Sequence, residues 1–494
     1  MIKNISLKKF KAFSNLEELE IKPLTILCGV NSGGKSSIIK SLLLLKQSYE
    51  NSAALNEATL NGEYTTNGLM KNVVHNGKGD TFSISNRFII QHHNKKFVYY
   101  SKQDLLTSKE LGKITNLTAA NVKAFHILVE CSIKKVENIG VWDKNIISAY
   151  NVRIIPVSQN GVEKEKVAFG VRMTSVSGGK YKLELENFPA ISGKRIYATL
   201  SKCTCYFSGM RLTNLFYEKQ NKDEEMINLS DVLTNIYSVF RIVADQYKGI
   251  KYLGPLRENP QRQYTISQDY NASRSTGGDT PYAIIKNMTR KVDENIFPPL
   301  NDSDFEIKAP TDDKSMFEAL KRWMEYFEIG NIDIDGQDET LKIKINSIDI
   351  SDVGFGVSQV LPILTQGLLL QYEQTLLIEQ PEIHLHPRMQ MKMADFLLSL
   401  AETNHGVIVE THSDHIINRI VRRALEAKDD SVLNNIVIYF VDNIDNESKV
   451  VPIKIDRVNG IIDCPNEFFT QFASETSLII NAAVKNLIEK RNDK

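Results

Sequence analysis

Alternating apolar and polar positions begin at the first residues of the chain. Residues 2–10 and 16–21 alternate, with a turn at residues 13–15 between them, which predicts two antiparallel strands. Residues 23–28 are almost continuously apolar, as in a strand that is buried on both faces. Residues 37–45 are apolar enough for a buried helix. The pattern therefore predicts two antiparallel strands, a buried strand, a short loop and a buried helix.

The middle of the chain, from about residue 73 to residue 207, is rich in strand patterns. The clearest segments are residues 82–90, 125–133, 152–157, 167–173 and 181–185. Turn signals such as Asn160-Gly161 separate them. We predict an antiparallel meander that is inserted into the domain containing the buried strand and helix.

Helical periodicity begins near residue 227 and places the apolar side chains of residues 227–247 on one face. Further predicted elements are helices at 282–294 and 313–326 and strands at 250–257 and 340–350. The polar segment 258–280 has no such periodicity and predicts a mobile surface loop.

A chain of 494 residues is too long for one ordinary core, and two or three domains or subdomains are expected. The predicted fold class is α/β, with an antiparallel β-rich insertion and a helical subdomain. The predicted segments are 1–95, the N-terminal part of the main domain; 96–250, the β-rich and helical insertion; 251–334, a helical or lid subdomain; and 335–494, the C-terminal part of the main domain with a C-terminal extension.

Composition is that of an ordinary globular protein, with 24% charged and 42% hydrophobic residues. Lys+Arg and Asp+Glu number 60 each, so no global basic field favours nucleic acid. The five cysteines are scattered and lack the spacing of zinc ligands. No apolar run approaches the length of a membrane span. A cytoplasmic protein without a membrane partner is expected.

The most informative motif is the loop between the buried strand and the buried helix. Residues 29–36, the glycine-rich loop, fit the phosphate-binding pattern G-x-x-x-x-G-K-[ST]. Backbone N–H groups would enclose phosphates, Lys35 would reach the β- and γ-phosphates, and Ser36 would bind Mg²⁺. The predicted ATP-binding residues here are Gly29, Asn31, Ser32, Gly33, Gly34, Lys35, Ser36 and Ser37. The alternative is a glycine-rich turn that binds nothing, but both flanks favour a nucleoside triphosphate site.

Two later strands end in polar residues that suit the same site. Residues 375–379 form an apolar strand that ends in Glu379, the position of a Walker B acid, which would hold Mg²⁺ directly or through water. Residues 407–411 form a second apolar strand, and His412 follows it. A lone histidine after a strand is more often structural. Here one helix, at 389–402, separates the two strands, and a histidine that senses the γ-phosphate is expected at this position.

A turn upstream of these strands is a second candidate anion site. Residues 354–359, the signature segment, read Gly-Phe-Gly-Val-Ser-Gln and precede a predicted helix. Backbone N–H groups and a hydroxyl at a helix N-terminus favour an anion, so Gly356, Ser358 and Gln359 are predicted ATP ligands. A plain capped helix start is the alternative and stays open on these residues alone.

Together these motifs resemble the ATP-binding-cassette (ABC) superfamily, in the soluble branch of RecF, SMC and OLD-type proteins. The resemblance covers residues 1–50 and 335–420 well and the middle loosely. It implies a P-loop ABC-type ATPase head that uses ATP and Mg²⁺, and a homodimer or higher homo-oligomer in which two heads enclose two ATP molecules. Lys35 of one subunit would then share a γ-phosphate with Ser358 of the other.

Residues 252–257, 379–387, 410–415 and 462–469 are similar to segments of small bacterial OLD-like ATPases. Many of these proteins belong to anti-phage defence systems and act with a separately encoded nuclease or toxin. The resemblance therefore implies an ATP-controlled module that gates a separate effector, and we find no nuclease motif in the chain itself.

The chain departs from the family pattern at two places. The signature segment lacks the transporter-like Leu-Ser-Gly-Gly-Gln, which favours the OLD-like branch over the energy subunit of a transporter. Gln380 follows Glu379, where a catalytic glutamate is usual, and an amide cannot accept a proton as a carboxylate does. Glu382 and His412 are the groups that could compensate. Gln380, Glu382 and His412 are thus the predicted catalytic residues, and hydrolysis is expected to be slow.

A RecF-like DNA-binding repair ATPase is the alternative function. It would need a basic track, for which Arg419, Arg422 and Arg423 are candidates, although a solvated helix face is the plainer interpretation. Gln91, after the predicted strand at 82–90, is a candidate for the glutamine loop of the family.

Overall fold

Three β-sheets and the helices between them organise the described part of the chain in the computed structural model. The described residues are 1–51, 57–91, 102–118, 120–136, 144–161, 167–177, 180–189, 195–217, 229–265, 277–300, 313–337, 340–403, 405–462 and 465. The tail motif at 462–469 lies outside them, except for Ile462 and Pro465.

The elements follow one another along these residues. The helices are α1 Lys35–Glu50, α2 Met70–Val73, α3 Lys102–Thr115, α4 Leu229–Lys248, α5 Thr280–Asn287, α6 Met316–Tyr326, α7 Phe355–Leu368, α8 Pro387–Glu402, α9 Asp414–Glu426 and α10 Ser431–Asn434. The first ten strands are β1 Ile2–Phe10, β2 Phe13–Glu20, β3 Leu24–Gly29, β4 Thr81–Gln91, β5 Ala124–Val136, β6 Lys144–Val157, β7 Phe169–Ser177, β8 Lys180–Pro189, β9 Arg195–Ser208 and β10 Arg211–Tyr217. The others are β11 Ile250–Leu253, β12 Tyr264–Thr265, β13 Ile332–Gln337, β14 Thr340–Ile345, β15 Ile348–Asp349, β16 Thr375–Glu379, β17 Gly406–Glu410, β18 Ile436–Ile444, β19 Glu447–Asp456 and β20 Gly460–Ile462.

A mainly parallel sheet forms the central layer. Its strand order is β11-β16-β17-β3-β18-β19-β20, and the first five strands are parallel. Alternate residues of β3 join different hydrophobic clusters, with Leu24 and Ile26 on one face and Leu27 on the other. This confirms the predicted strand at residues 23–28, which is buried on both faces.

An antiparallel sheet has the strand order β10-β9-β8-β7-β6-β5-β4-β1-β2. The predicted meander is present, and the predicted strands overlap β4 to β8. The meander is not a separate sheet, however, because β4 pairs with β1, which also pairs with β2. The proposed boundary between residues 95 and 96 therefore falls inside one continuous sheet, between the paired strands β4 and β5.

Helices α1 and α4 share one hydrophobic cluster with both sheets. Tyr49 of α1 stacks on Tyr247 of α4 with ring centroids 4.8 Å apart, and Tyr150 of β6 stacks on Phe240 of α4 at the same distance. Such aromatic pairs contribute about 0.5–1.5 kcal/mol beyond the area that they bury. This packing fixes the helix that follows the glycine-rich loop.

A second hydrophobic cluster covers the opposite face of the parallel sheet and includes residues of α5 to α9. Trp323 of α6 is at its centre, with its indole N–H donating to the Ile296 carbonyl at 2.7 Å. The small sheet β12-β14-β13, with β15 beside β14, adjoins these helices. The single strand predicted at 340–350 is broken into β14 and β15 because Asn346 and Ser347 adopt φ angles of 50° and 69°.

These layers confirm the predicted α/β fold class, with an antiparallel β-rich part and a helical part on a parallel sheet. No helix in the described ranges is long and apolar enough to cross a membrane.

Candidate functional site

Three strands of the parallel sheet end side by side at the candidate site. The strand β3 leads into the glycine-rich loop, β17 pairs with it, and β16 pairs with β17. Glu379, the last residue of β16, lies in register with Glu410, the last residue of β17. Carboxyl ends of parallel strands are the usual binding edge of an open α/β sheet. The sequence predicted Glu379 here but not Glu410.

The glycine-rich loop lies against the backbone of β18. A Cβ atom at Gly29 would lie 2.2 Å from the Val441 carbonyl oxygen, and one at Gly33 would lie 2.6 Å from the same atom. Gly29 also has a φ of 126°, which favours glycine. Asn31 and Ser32 are exposed at the tip, and α1 begins at Lys35. The loop can therefore present its backbone only because these positions are glycines.

Lys35 folds back over the loop. Its ammonium group donates to the carbonyl oxygens of Gly29 and Val30 at 3.1 and 2.7 Å. Burial lowers the pKa of Lys35, and the negative charge of Glu410 opposes that shift. The loop residues Gly34, Ser36 and Ser37 are half-buried at the start of α1. Phosphate oxygens are stronger acceptors than carbonyl oxygens, so a bound nucleotide would compete for this ammonium.

The two strand-end acids have different partners. Ser36 donates its hydroxyl hydrogen to Glu410 Oε1 at 2.9 Å, whereas Tyr252 of β11 donates to Glu379 Oε1 at 3.0 Å. Burial, together with the nearby Glu410, raises the pKa of Glu379 to about 7. Two carboxylates this close favour a shared cation, because their mutual repulsion is then relieved.

The predicted catalytic residues lie in the turns after β16 and β17. The Gln380 N–H donates to the Glu410 carbonyl at 2.7 Å, and Gln380 has a φ of 47°. Glu382 accepts from Thr411 Oγ1 at 2.8 Å and from the His412 N–H at 2.7 Å. The turns are thus tied together. His412 is exposed, and partial burial and then the charge of Lys35 lower its pKa, which favours the neutral imidazole.

The signature segment meets this site through Arg257, which sequence reasoning did not single out for a role. Arg257 Nη2 donates to the Glu379 carbonyl at 3.0 Å, and Nη1 donates to Gln359 Oε1 at 3.5 Å. Burial lowers the pKa of Arg257 to about 10, a shift that Glu382 partly opposes. The guanidinium therefore links the end of β16 to the start of α7. Arg257 follows a strand parallel to β16, and its place in the family-like segment 252–257 was the signal in the sequence.

The predicted ligands of the signature segment lie on the first turn of α7. Ser358 and Gln359 are only 5% and 2% exposed, and Gln359 Nε2 donates to Ser358 Oγ at 3.4 Å. Gly356 lies close to the turn after β16, because a Cβ atom there would be 3.3 Å from the His384 carbonyl oxygen. Ser358 therefore faces protein in the single chain.

Part of the predicted mobile loop 258–280 covers Ser358. A cavity of about 30 Å³ beside Ser358 is lined by residues of both described ends of this loop, including Tyr264 and Gly277. Gly277 and Thr280 are buried, and the Thr280 hydroxyl donates to the Gly277 carbonyl at 2.5 Å. The second end, at 277–280, therefore packs onto α7 instead of forming open surface, whereas most of residues 258–265 are exposed, as predicted for a surface segment.

Two of the predicted DNA-contacting arginines are buried. Arg419 Nη2 lies 2.7 Å from Asp395 Oδ2, and Arg423 Nε lies 2.9 Å from Asp395 Oδ1. Only Arg422 is exposed, and it pairs with Glu426. Arg419 and Arg423 therefore form neither a DNA-binding basic track nor a solvated helix face, because both lie on the side of α9 that contacts α8.

Gln91 is not near the site. Its N–H donates to Glu373 Oε1 at 2.9 Å, and Tyr372 donates to its side chain at 3.0 Å. These partners precede β16, whereas Glu379 ends it, and a five-residue strand is about 15 Å long. The glutamine-loop hypothesis for Gln91 was wrong.

The residues present fit ATP with Mg²⁺. The loop supplies backbone donors and Lys35 for phosphates, while the Ser36 hydroxyl and two carboxylates supply the oxygen ligands that Mg²⁺ prefers. In the described ranges no cluster of three or more His, Cys, Asp or Glu residues could hold a metal by itself. A cation here would therefore need phosphate oxygens to complete its ligands.

Comparisons with known proteins identify the family of the chain. A model of the family described as AAA ATPase domain matches residues 1–417. Similar solved structures are the SMC head domain from Thermotoga maritima, with 11% identity, a TM-score of 0.33 and coverage of 92% of this chain and 99% of that chain, and an SmcHead bound to the C-winged helix domain of ScpA, with 14% identity, a TM-score of 0.37 and coverage of 92% and 98%. An Smc head domain with an extended coiled coil, bound to the C-terminal domain of ScpA derived from Pyrococcus furiosus, has 12% identity, a TM-score of 0.38 and coverage of 92% and 97%. At these scores the structural likeness supports no functional conclusion. None of the curated proteins compared with the chain matches it.

Proposed function

The chain belongs to the AAA ATPase domain family, and from this we propose that it is a slow ATPase that closes as a homodimer or higher homo-oligomer around ATP and gates a separate effector. The proposal rests on one observation, which is how few acidic side chains beside the glycine-rich loop could act as a general base. Gln380 stands after Glu379, and both oxygens of Glu382 already accept hydrogen bonds. The position after Glu379 therefore carries no carboxylate that could accept a proton from water, and Thr411 and His412 hold Glu382 in the turn, so hydrolysis should be slow.

The residues have separate roles in this proposal. Lys35 and the loop N–H groups bind the β- and γ-phosphates. Ser36 and the strand-end acids Glu379 and Glu410 would hold Mg²⁺, directly or through water, and the cation would neutralise charge on the phosphates. Gln380 orients water through its amide, and His412 would donate its ring N–H to a γ-phosphate oxygen. Arg257 holds the Glu379 carbonyl and Gln359 in place.

Closure of two heads would use Ser358 of the opposite subunit. Ser358 is only 5% exposed in the single chain and lines a cavity together with Tyr264 and Gly277, so these neighbours would have to shift before Ser358 could meet a phosphate. A buried Ser358 is consistent with a switch, because ATP and a second head would then both be needed to stabilise the conformation in which Ser358 is accessible.

The effector and the defence role rest on the resemblance to OLD-like ATPases. Slow turnover supports gating, because a long-lived ATP-bound state can hold a partner such as a nuclease or toxin. The DNA-repair alternative loses support because two of its three candidate arginines are buried in an ion pair.

Purified protein tests the proposal. We expect tight ATP binding, a mass that doubles or rises further with ATP in light scattering, and slow turnover that double-stranded DNA leaves unchanged. The Lys35→Ala variant is the control for the mass change. Brisk turnover that DNA stimulates would refute the gating function in favour of the DNA-binding one.

A further inference from the structure

Glu410 ends the strand that lies directly beside the strand of the glycine-rich loop. In the order β16-β17-β3, it is in register with Glu379 on one side and with Leu27 on the other. Neighbouring strands are about 4.8 Å apart, so the backbone of Glu379 is roughly 10 Å from β3, and that of Glu410 is half as far. Glu410 is therefore the acid nearer to the loop.

The contacts of the two acids agree with this order. Glu410 accepts a hydrogen bond from Ser36, the hydroxyl that a phosphate-binding loop offers to Mg²⁺. Glu379 accepts from Tyr252 of β11, the strand on the side away from the loop. One acid is thus held against the loop, and the other is held away from it.

Glu410 also has an oxygen without a partner. Glu410 is only 5% exposed, and its Oε2 atom has no hydrogen-bond partner within the described part of the chain. Burying a carboxylate oxygen without a partner costs free energy, and a cation bound at this oxygen would offset that cost.

We propose that Glu410, rather than Glu379, is the carboxylate that shares the Mg²⁺ of bound ATP with Ser36. The inference rests on the proposed ATP binding. Mg²⁺ is commonly held by one or two carboxylates together with substrate phosphates, and Ser36 and Glu410 already lie within hydrogen-bond distance of each other. Glu379, which Tyr252 orients, then acts in the outer sphere.

The test measures the affinity of the protein–ATP complex for Mn²⁺, by electron paramagnetic resonance of free Mn²⁺, and ATP affinity in a chelator. Loss of even an outer-sphere partner typically costs about 10–100-fold in metal affinity, so Glu410→Gln should lose at least that much. Glu379→Gln should lose less. Glu410→Asp, which keeps the charge, should lie between Glu410→Gln and wild type. Metal-free ATP affinity should stay unchanged or tighten, because a negative charge near the phosphates is removed.

Glu402→Gln is the matched control, since Glu402 ends α8 before β17 and lies at the opposite edge of the sheet. It should behave as wild type. Normal Mn²⁺ affinity in folded Glu410→Gln and Glu410→Asp, with a large loss in Glu379→Gln, would overturn the inference and leave ATP binding intact. A wild-type protein that binds ATP neither with metal nor in the chelator would instead refute the proposed function.

Discussion

At the scale of one residue, Lys35 has contacts within the glycine-rich loop that a nucleotide would replace. Its ammonium donates to two loop carbonyl oxygens that phosphates would replace. We expect Lys35→Ala to weaken ATP binding at least tenfold, because a hydrogen bond to a charged group contributes about 1.5–3 kcal/mol. Titration with a fluorescent ATP analogue measures this. Lys321→Ala, at an exposed position of α6, is the control, and unchanged affinity in folded Lys35→Ala would remove Lys35 from the site.

Gln380 and Glu382 decide the rate of hydrolysis at the same scale. Gln380→Glu should raise turnover, because general-base catalysis typically contributes about 10²–10⁴-fold. Steady-state phosphate release measures the change. Glu382→Gln keeps one acceptor oxygen for the contacts with Thr411 and His412, and it should alter turnover little because Glu382 is not the base in this proposal. If wild type is already fast and Glu382→Gln abolishes activity, Glu382 is the base and the role given to Gln380 is wrong.

At the scale of elements, one buried ion pair joins α8 to α9. Asp395 and Arg423 have fully buried side chains, and Tyr326 of α6 also donates to Asp395 at 2.6 Å. Breaking a buried pair by removing one partner typically costs about 3–5 kcal/mol, which we expect for Asp395→Ala in urea unfolding, because Arg419 and Arg423 both lose the carboxylate that they share. Arg422→Ala, one position before Arg423 and exposed, should cost about 1 kcal/mol or less. Equal losses from the two variants would contradict a structural role for the buried pair.

At the scale of the whole molecule, the proposed role of the signature segment is to bind the ATP of a second subunit. Ser358→Ala removes the hydroxyl with little change in volume, so ATP binding by each subunit should persist while ATP-dependent association weakens about tenfold or more. Light scattering at several protein concentrations, with and without ATP, measures this. Ser351→Ala, whose hydroxyl donates to Asp349 at 2.8 Å, is the control. If Ser358→Ala associates as wild type does, the signature segment is only the start of a helix and does not bind ATP.

The site was predicted unevenly because its parts depend on different distances in sequence. The glycine-rich loop was recognised from eight consecutive residues, since its spacing and its flanks are local. Glu410 and Arg257 were not assigned a role, because their importance comes from contacts with Ser36 and with the Glu379 carbonyl, far away in the chain. The wrong interpretation of Arg419 and Arg423 has the same cause, since helical periodicity cannot tell which neighbour a charged face meets.

The sequence by itself determined the buried strand, the loop, the helix and most of the meander, because these follow from hydrophobic periodicity and from residue spacing along the chain. It also determined the acid at the end of β16 and the glutamine after it. Only the tertiary structure decided that β17 lies between β3 and β16, that the meander continues the first sheet, and that Ser358 is covered. Strand order and burial arise from the packing of distant segments, and that packing brings together side chains which no local pattern connects.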